Sequence, residues 1–315
     1  MPNRRLWTGN RYRHEKIRVA YLSADFNEHA VSTLMLGVFQ AHDKSRFETH
    51  AFSFARDAGS RRLPVLMQAF DSFSDIEDRS DFEAAQALHA MEIDIAVDLM
   101  GLTGNCRPGI LAFRPAPTQV NYLGFPGTMG VPYIDYMIAD RTVVPEDSRG
   151  GYDENVVYLP DTYLPNDCHR PIAGTIPTRR DAGLPEEGFI FCSFNNSYKI
   201  TPDMFDIWML LLRDVAGSVL WLPHSDDAAM RNLRREADAR GIGQERIVFA
   251  SFLDNAADHL ARLKLADLFL DTQPYNAHST ACDALWVGLP VLTCIGTAFA
   301  GRVAASLLKI GRAHV

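Results

Sequence analysis

The sequence has 315 residues, 47% of them apolar and 22% charged, with a formal net charge of -8; this length calls for two domains, and the acidity excludes a general nucleic-acid or anionic-membrane surface. Five cysteines without a C-x-x-C pair exclude a disulfide framework and a zinc spacing, and suit reduced thiols in a cytoplasm. No run reaches the ~18 apolar residues of a membrane span, and the basic start MPNRRLWTGNRYRHEK lacks the apolar core of a secretory signal, so a soluble cytoplasmic protein is expected.

Residues 17–23, IRVAYLS, read as a buried strand that runs into the polar loop 24–29, ADFNEH, and then into a helical pattern over 31–41. A strand followed by a polar loop and a helix is the first unit of a parallel sheet. A second strand is expected at 49–54, helices at 61–70 and 81–91, and a third strand at 93–99. That strand ends in the glycine-bearing loop 100–105, at a strand's carboxyl end, where open α/β sheets place ligands. A short helix over 107–113 and a strand over 118–123 follow. The turn GFPGTMG at 124–130 is not a P-loop, because no Gly-Lys-Ser/Thr follows it. Short strands at 134–139 and 156–159 complete the first half. Residues 160–177 are rich in Pro, Asp and Asn with little periodicity and read as a linker.

A second α/β pattern starts with the strand 189–194, FIFCSF, and the loop NNSYK. Thr201-Pro202 is a strong helix start, with Thr201 as N-cap and Pro202 in the first turn, for a helix to about 213. Strands at 219–222 and 246–250 and helices at 228–240 and 258–265 lead to the stretch 265–293, LADLFLDTQPYNAHSTACDALWVGLPVLT. It reads as strand, turn, helix and strand. Ser279 or Thr280 supplies the N-cap hydroxyl, Asp283 is the acid of a capping box, and Gly288 ends the helix. Spacing alone leaves two readings open, an ordinary capped helix or a helix start that holds a diphosphate on its free N–H groups and on His278, Ser279 and Thr280.

Five blocks in order resemble one family: VAYLSADFNEHAVSTLM at 19–35, RPAPTQVNYLGFPGTMG at 114–130, FCSFNNSYKITP at 191–202, the 265–293 stretch, and FAGRVAASLL at 299–308. They are similar to the catalytic region of the O-linked N-acetylglucosamine transferase family, its SPINDLY-like bacterial branch in particular. The resemblance implies an α/β fold of the GT-B kind, with two Rossmann-like domains facing across a cleft. It also implies a metal-independent inverting glycosyltransferase without a cofactor, which moves N-acetylglucosamine from UDP-GlcNAc to Ser or Thr hydroxyls of proteins. The partners implied are a sugar-nucleotide donor and a protein acceptor, with neither nucleic acid nor membrane. GDP-fucose is the alternative donor, since SPINDLY-like relatives include O-fucosyltransferases. A UDP-sugar epimerase on the same fold and an inactive or binding-only fragment are the further alternatives.

By the same resemblance Lys199 holds the donor diphosphate and neutralises charge on the leaving group. His278, Ser279 and Thr280 match a diphosphate-binding H-T-T in which Ser replaces the first Thr. Asp283 matches a ribose-binding aspartate, and His259 and Arg262 match base-binding residues. His29 matches a histidine beside the transferred sugar and suits acid–base assistance near neutral pH. Leu123, Gly124 and Pro126 are expected near the sugar, glycine allowing close backbone approach. Asn196 stands where animal enzymes carry Gln, and Leu102 follows Gly101 where relatives often have Tyr or His; both bear on donor or acceptor preference. The expected division is a lead at 1–15, a first domain at 16–160, a linker at 161–177, a second domain at 178–308 and a tail at 309–315. The tail, KIGRAHV, resembles a translated sequencing-adapter read, so the second domain is expected to be incomplete, and the family's upstream tetratricopeptide repeats do not precede Lys16.

Overall fold

The computed structural model describes residues 5–57 and 59–310. The chain divides into two compact units, Met1–His169 and Arg170–Val315.

In unit 1 the elements run β1 Ile17–Ser23, α1 Ala30–Gln40, β2 Phe47–Ser53, α2 Leu63–Ala69, β3 Ser72–Asp75, α3 Asp81–Ala90, β4 Ile95–Asp98, α4 Gly109–Ala112, β5 Thr118–Asn121, β6 Tyr136–Asp140 and β7 Asn155–Leu159. Among the described residues the strands form one parallel sheet of order β3-β2-β1-β4-β5-β6-β7. Both faces of β1 are covered, which is why its sequence is apolar without alternation. Ala20 and Leu22 pack with Phe52, Leu88, Ile93 and Ile110. The other side carries an aromatic layer in which Tyr21 and Phe26 meet Phe39 and Phe70, with ring centroids 4.6 to 6.1 Å apart.

In unit 2 the elements run β8 Ile190–Cys192, α5 Pro202–Asp214, β9 Val219–Leu222, α6 Asp227–Ala239, β10 Ile247–Phe249, α7 Ala256–Leu263, β11 Leu268–Leu270, α8 Ser279–Trp286, β12 Val291–Leu292 and α9 Val303–Ile310. Its sheet is again parallel, of order β10-β9-β8-β11-β12. Helix α5 shows how the sequence builds the core. Phe205, Trp208, Met209 and Leu212 recur at helical spacing and are buried, and they pack in one core with Leu220, Leu222 and Leu270. Thr201 caps that helix by accepting from Met204 N–H at 3.4 Å. A Thr201→Ala variant is therefore expected to lose about 1 kcal/mol of stability. A urea midpoint identical to that of the parent chain would show that the cap contributes nothing.

The order of each sheet reverses at one place, between β1 and β4 in unit 1 and between β8 and β11 in unit 2. Crevices for ligands form at the carboxyl ends of strands at such switch points.

Two expectations need correction, at β3 and at the C-terminus. Strand β3, SFSD, is absent from the sequence reading because it is short and polar, and it pairs with β2 at the sheet edge. The boundary between the units, His169 to Arg170, falls inside the 160–177 stretch, where Tyr163, Leu164 and Asp167 are buried in unit 1 and Ala173 N–H donates to the Ala257 carbonyl in unit 2. Helix α9 continues through Lys309 and Ile310, and residues 311–315 of the expected tail lie outside the described residues. No helix among the described residues is long and apolar enough to cross a membrane.

Candidate active site

Unit 2 gathers its candidate residues at the switch point. The chain leaving β8 gives Asn195, exposed Asn196 and a single 3-10 turn, Ser197–Lys199. The chain leaving β11 gives Asp271, Thr272, Tyr275 and Asn276 before α8 begins. The two loops are tied together by side chains. Asn195 donates from Nδ2 to Thr272 Oγ1 at 3.1 Å, and its Oδ1 accepts from Thr280 Oγ1 at 2.7 Å. Asp271 is buried and accepts from Thr272 N–H at 2.7 Å, Ala277 N–H at 2.5 Å and Thr293 Oγ1 at 2.6 Å. Burial raises its pKa, and those donors oppose the rise.

Lys199 is the cation of this cluster. Its Nζ donates to the Asn276 carbonyl at 2.8 Å and lies 4.0 Å from the centre of the Tyr275 ring. Burial lowers its pKa to about 8, with Asp271 opposing, so at neutral pH it remains largely an ammonium. The His278 ring stacks on Tyr275 at 4.8 Å, and its Nε2 lies 3.2 Å from the Ala300 carbonyl. A carbonyl only accepts, so Nε2 holds the proton. Burial, then the charge of Lys199, lowers the His278 pKa to about 3, which leaves the ring neutral with a bare Nδ1.

The expected capping box is not formed. His278 occupies the N-cap position of α8 without a side-chain cap, Ser279 is the first helical residue, and the Thr280 hydroxyl is taken by Asn195. Asp283 turns instead to Arg170, whose Nη2 lies 2.5 Å from Asp283 Oδ1; a guanidinium is a stronger partner for a carboxylate than a backbone N–H. Burial raises the Asp283 pKa, and Arg170 opposes the rise. His259 Nε2 lies 4.0 Å from Asp283 Oδ2, and its Nδ1 is 2.8 Å from Arg262 Nη2. Arginine only donates, so His259 Nδ1 is the acceptor and Nε2–H faces Asp283. Burial, then Arg262 and Arg170, lowers the His259 pKa to about 4. Arg262 is itself buried, lies over the Phe194 ring at 5.2 Å and donates to the Ser251 carbonyl.

Unit 1 carries the remaining candidates at its own switch point. His29 is the N-cap of α1, its Nδ1 3.3 Å from Val31 N–H and 3.1 Å from Asp25 Oδ2. Nδ1 accepts from Val31 N–H in the cap, which in the neutral ring puts the proton on Nε2; only the other tautomer, with Nδ1–H turned to Asp25 and the cap bond given up, leaves Nε2 as a base on the half-exposed ring. Burial raises the Asp25 pKa, and His29 opposes the rise. Leu123 is buried with φ of +74°, and a Cβ on Gly124 would meet the Leu99 carbonyl oxygen at 2.0 Å. Pro126 follows in the same turn. Beneath them Asp98 ends β4, accepting from Met100 and Gly101 N–H at 2.9 and 3.2 Å; burial lifts its pKa to about 6.

Sequence reasoning missed Asp25, Asn195, Asp271 and Arg170. Only Asp25 left a local signal, since it stands one helical turn before His29. The one group of three metal-ligating side chains found among the described residues is Asp167, Cys168 and His169 in unit 1, and no candidate site residue belongs to it.

The description Glycosyl transferase family 41 matches residues 5–173 and 169–313. The chain belongs to glycosyl transferase family 41. It is 35% identical over 306 residues to SEC of Arabidopsis thaliana, named a probable UDP-N-acetylglucosamine--peptide N-acetylglucosaminyltransferase, covering 95% of this chain and 31% of SEC. It is 31% identical to SPINDLY of the same plant, a protein of the same name, covering 100% of this chain and 35% of SPINDLY. A solved point mutant of the Thermobaculum terrenum O-GlcNAc transferase superposes with a TM-score of 0.86 at 30% identity, over 94% of this chain and 56% of that one. The family 41 chain thus spans about a third of the length of these plant relatives. Its fold class is α/β of the GT-B kind, each unit a doubly wound parallel sheet.

Proposed function

We propose that this chain is the catalytic region of a metal-independent inverting glycosyltransferase that moves N-acetylglucosamine from UDP-GlcNAc to Ser or Thr hydroxyls of proteins. The observation that carries the reading is Lys199, an ammonium fixed between the Asn276 carbonyl and the Tyr275 ring beside the start of α8. Lysine and the free N–H groups of the helix start supply the positive charge that a bound divalent cation supplies in other transferases. Neutral His278, stacked on Tyr275, shapes this helix start without adding a charge. The names of SEC, SPINDLY and the Thermobaculum enzyme favour UDP-GlcNAc over GDP-fucose.

In this reading the acceptor oxygen bonds to C1 of the sugar as the bond from C1 to the diphosphate oxygen breaks, which inverts C1 and releases UDP. The acceptor proton passes to a base, and unit 1 offers His29 in the tautomer that turns Nδ1–H to Asp25 and frees Nε2. Lys199, the Ser279 hydroxyl and the backbone N–H groups of Ser279 and Thr280 hold the diphosphate, with His278 packed on Tyr275 at the same helix start; Asp283 holds ribose hydroxyls, and His259 with Arg262 meets the base. Asn196, on the same loop as Lys199 in unit 2, and the turn of Leu123, Gly124 and Pro126 in unit 1 are each proposed as sugar contacts.

A calorimetric panel of UDP, UDP-GlcNAc, GDP and GDP-fucose, with and without EDTA, tests the donor. UDP and UDP-GlcNAc are expected to bind, EDTA to change nothing, and GDP to bind at least about tenfold more weakly. Tight GDP binding without UDP binding overturns the donor assignment, and loss of UDP binding in EDTA overturns metal independence.

A further inference from the structure

We infer that Arg170 is a positioning residue for the donor, setting ribose recognition through Asp283; the inference rests on the reading of Asp283 as the ribose ligand. Arg170 is the first residue of unit 2, and nothing in its local sequence marks it. It is fastened to α8 at two points on one helix face. Its Nη2 meets Asp283 Oδ1 at 2.5 Å, and its carbonyl accepts from Trp286 Nε1 at 3.2 Å, three residues along the helix. The Arg170 and Asp283 side chains are only 9% and 17% exposed, so the pair is not a solvated surface contact.

This geometry has a chemical result. A carboxylate in such a place, without its cation, drifts toward the protonated form and then offers a donor where ribose hydroxyls need an acceptor. Arg170 keeps the group ionised and fixes its plane. An ionised carboxylate has about four lone-pair positions, and the guanidinium contacts Oδ1, which leaves Oδ2 for hydroxyl donors. His259 Nε2 stays 4.0 Å from that Oδ2, beyond hydrogen-bond distance, and so does not use the position. Arg170 therefore acts on the ligand only through the orientation and charge of Asp283.

The test compares UDP with 2′,3′-dideoxy-UDP by calorimetry on the full chain and on Arg170→Met, Arg170→Lys, Asp283→Asn and the Arg170→Met/Asp283→Asn pair. The ratio of the two dissociation constants is read, because a ratio does not depend on the fraction of folded protein. The parent chain is expected to prefer UDP by at least about tenfold. Arg170→Met is expected to bring the ratio close to one, Arg170→Lys to recover part of it, and Arg170→Met to have no further effect once Asp283 is Asn. An Arg170→Met chain that keeps the parent ratio overturns the role of Arg170 while leaving Asp283 as the ribose ligand. An Arg170→Met ratio that still falls in the Asp283→Asn background also overturns it, since Arg170 then acts without Asp283. A parent chain that binds UDP and its dideoxy form equally removes the Asp283 reading, and the proposal with it.

Discussion

Replacing Lys199 with Met is expected to reduce kcat by about 10²- to 10³-fold, the usual cost of removing a group aimed at developing negative charge. In the proposed transfer the diphosphate would gain charge as the sugar leaves, and Lys199 is the cation held at the start of α8. UDP affinity should fall as well, because the ammonium meets phosphate in the ground state too. Burial has moved its pKa from 10.5 to about 8, which fixes the direction of the pH effects. In the parent chain UDP binding is expected to be flat below pH ~8 and to weaken above it as the free ammonium is lost, whereas the Met variant shows no such break.

Stability moves the other way. The folded chain holds this proton less tightly than the unfolded chain, so the parent's stability rises between pH ~8 and ~10.5, and the Met variant lacks that rise. At neutral pH the thermal midpoint of Lys199→Met should therefore not fall below that of the parent, since a desolvated charge has been removed. UDP titrations at pH 7 and 9, with melting curves at both, check the set. A Met variant with parental UDP affinity and turnover ends the assignment of Lys199.

Gly124→Ala is the substitution with the largest expected effect on stability. Its Cβ would lie 2.0 Å from the Leu99 carbonyl oxygen, 2.9 Å from its carbon and 3.3 Å from Met100 Cα. These are backbone atoms at the end of β4, so no side chain can swing aside. Leu123 just before it already sits at φ of +74°, which leaves little freedom to shift the turn. A loss of about 3 kcal/mol or more is expected in unit 1, read as a lowered urea midpoint. Gly127→Ala in the same turn is the control. Its Cβ meets only the far edge of the Phe125 ring at 3.3 Å, so a much smaller change is expected. Equal midpoints for the two variants would show that the contact with Leu99 yields at little cost.

The fold was legible because parallel strands covered on both faces leave apolar runs, and IRVAYLS and VLWL fall within a residue of where the pattern puts them. Thr201 and Pro202 were legible for a local reason, since a cap and its helix are neighbours in sequence. The site was only half legible. The pattern of Thr280 followed by Asp283 does describe a capping box, but Asn195 lies 85 residues before Thr280 and Arg170 lies 113 before Asp283. Spacing cannot register a partner that far away, and such partners took both groups. Asp25 was within reach, one turn before His29, but a loop position gives no face on which to pair the two. Strand β3 was missed because SFSD carries no apolar alternation and is recruited by the edge of β2.

The side-chain ties at the unit 2 switch point link residues 72 to 85 apart in sequence, with Asn195, Lys199 and Thr201 on one flank and Thr272, Gln273, Asn276 and Thr280 on the other. One flank belongs to β8 and its followers and the other to β11 and α8, so a nucleotide seated there would act as a staple between two halves of one sheet. Occupancy then adds to cohesion by mass action, about 2.7 kcal/mol at a ligand concentration one hundred times its dissociation constant. The proposed donor would thus serve as a structural component of unit 2 while it is bound, and each release of UDP would withdraw that contribution.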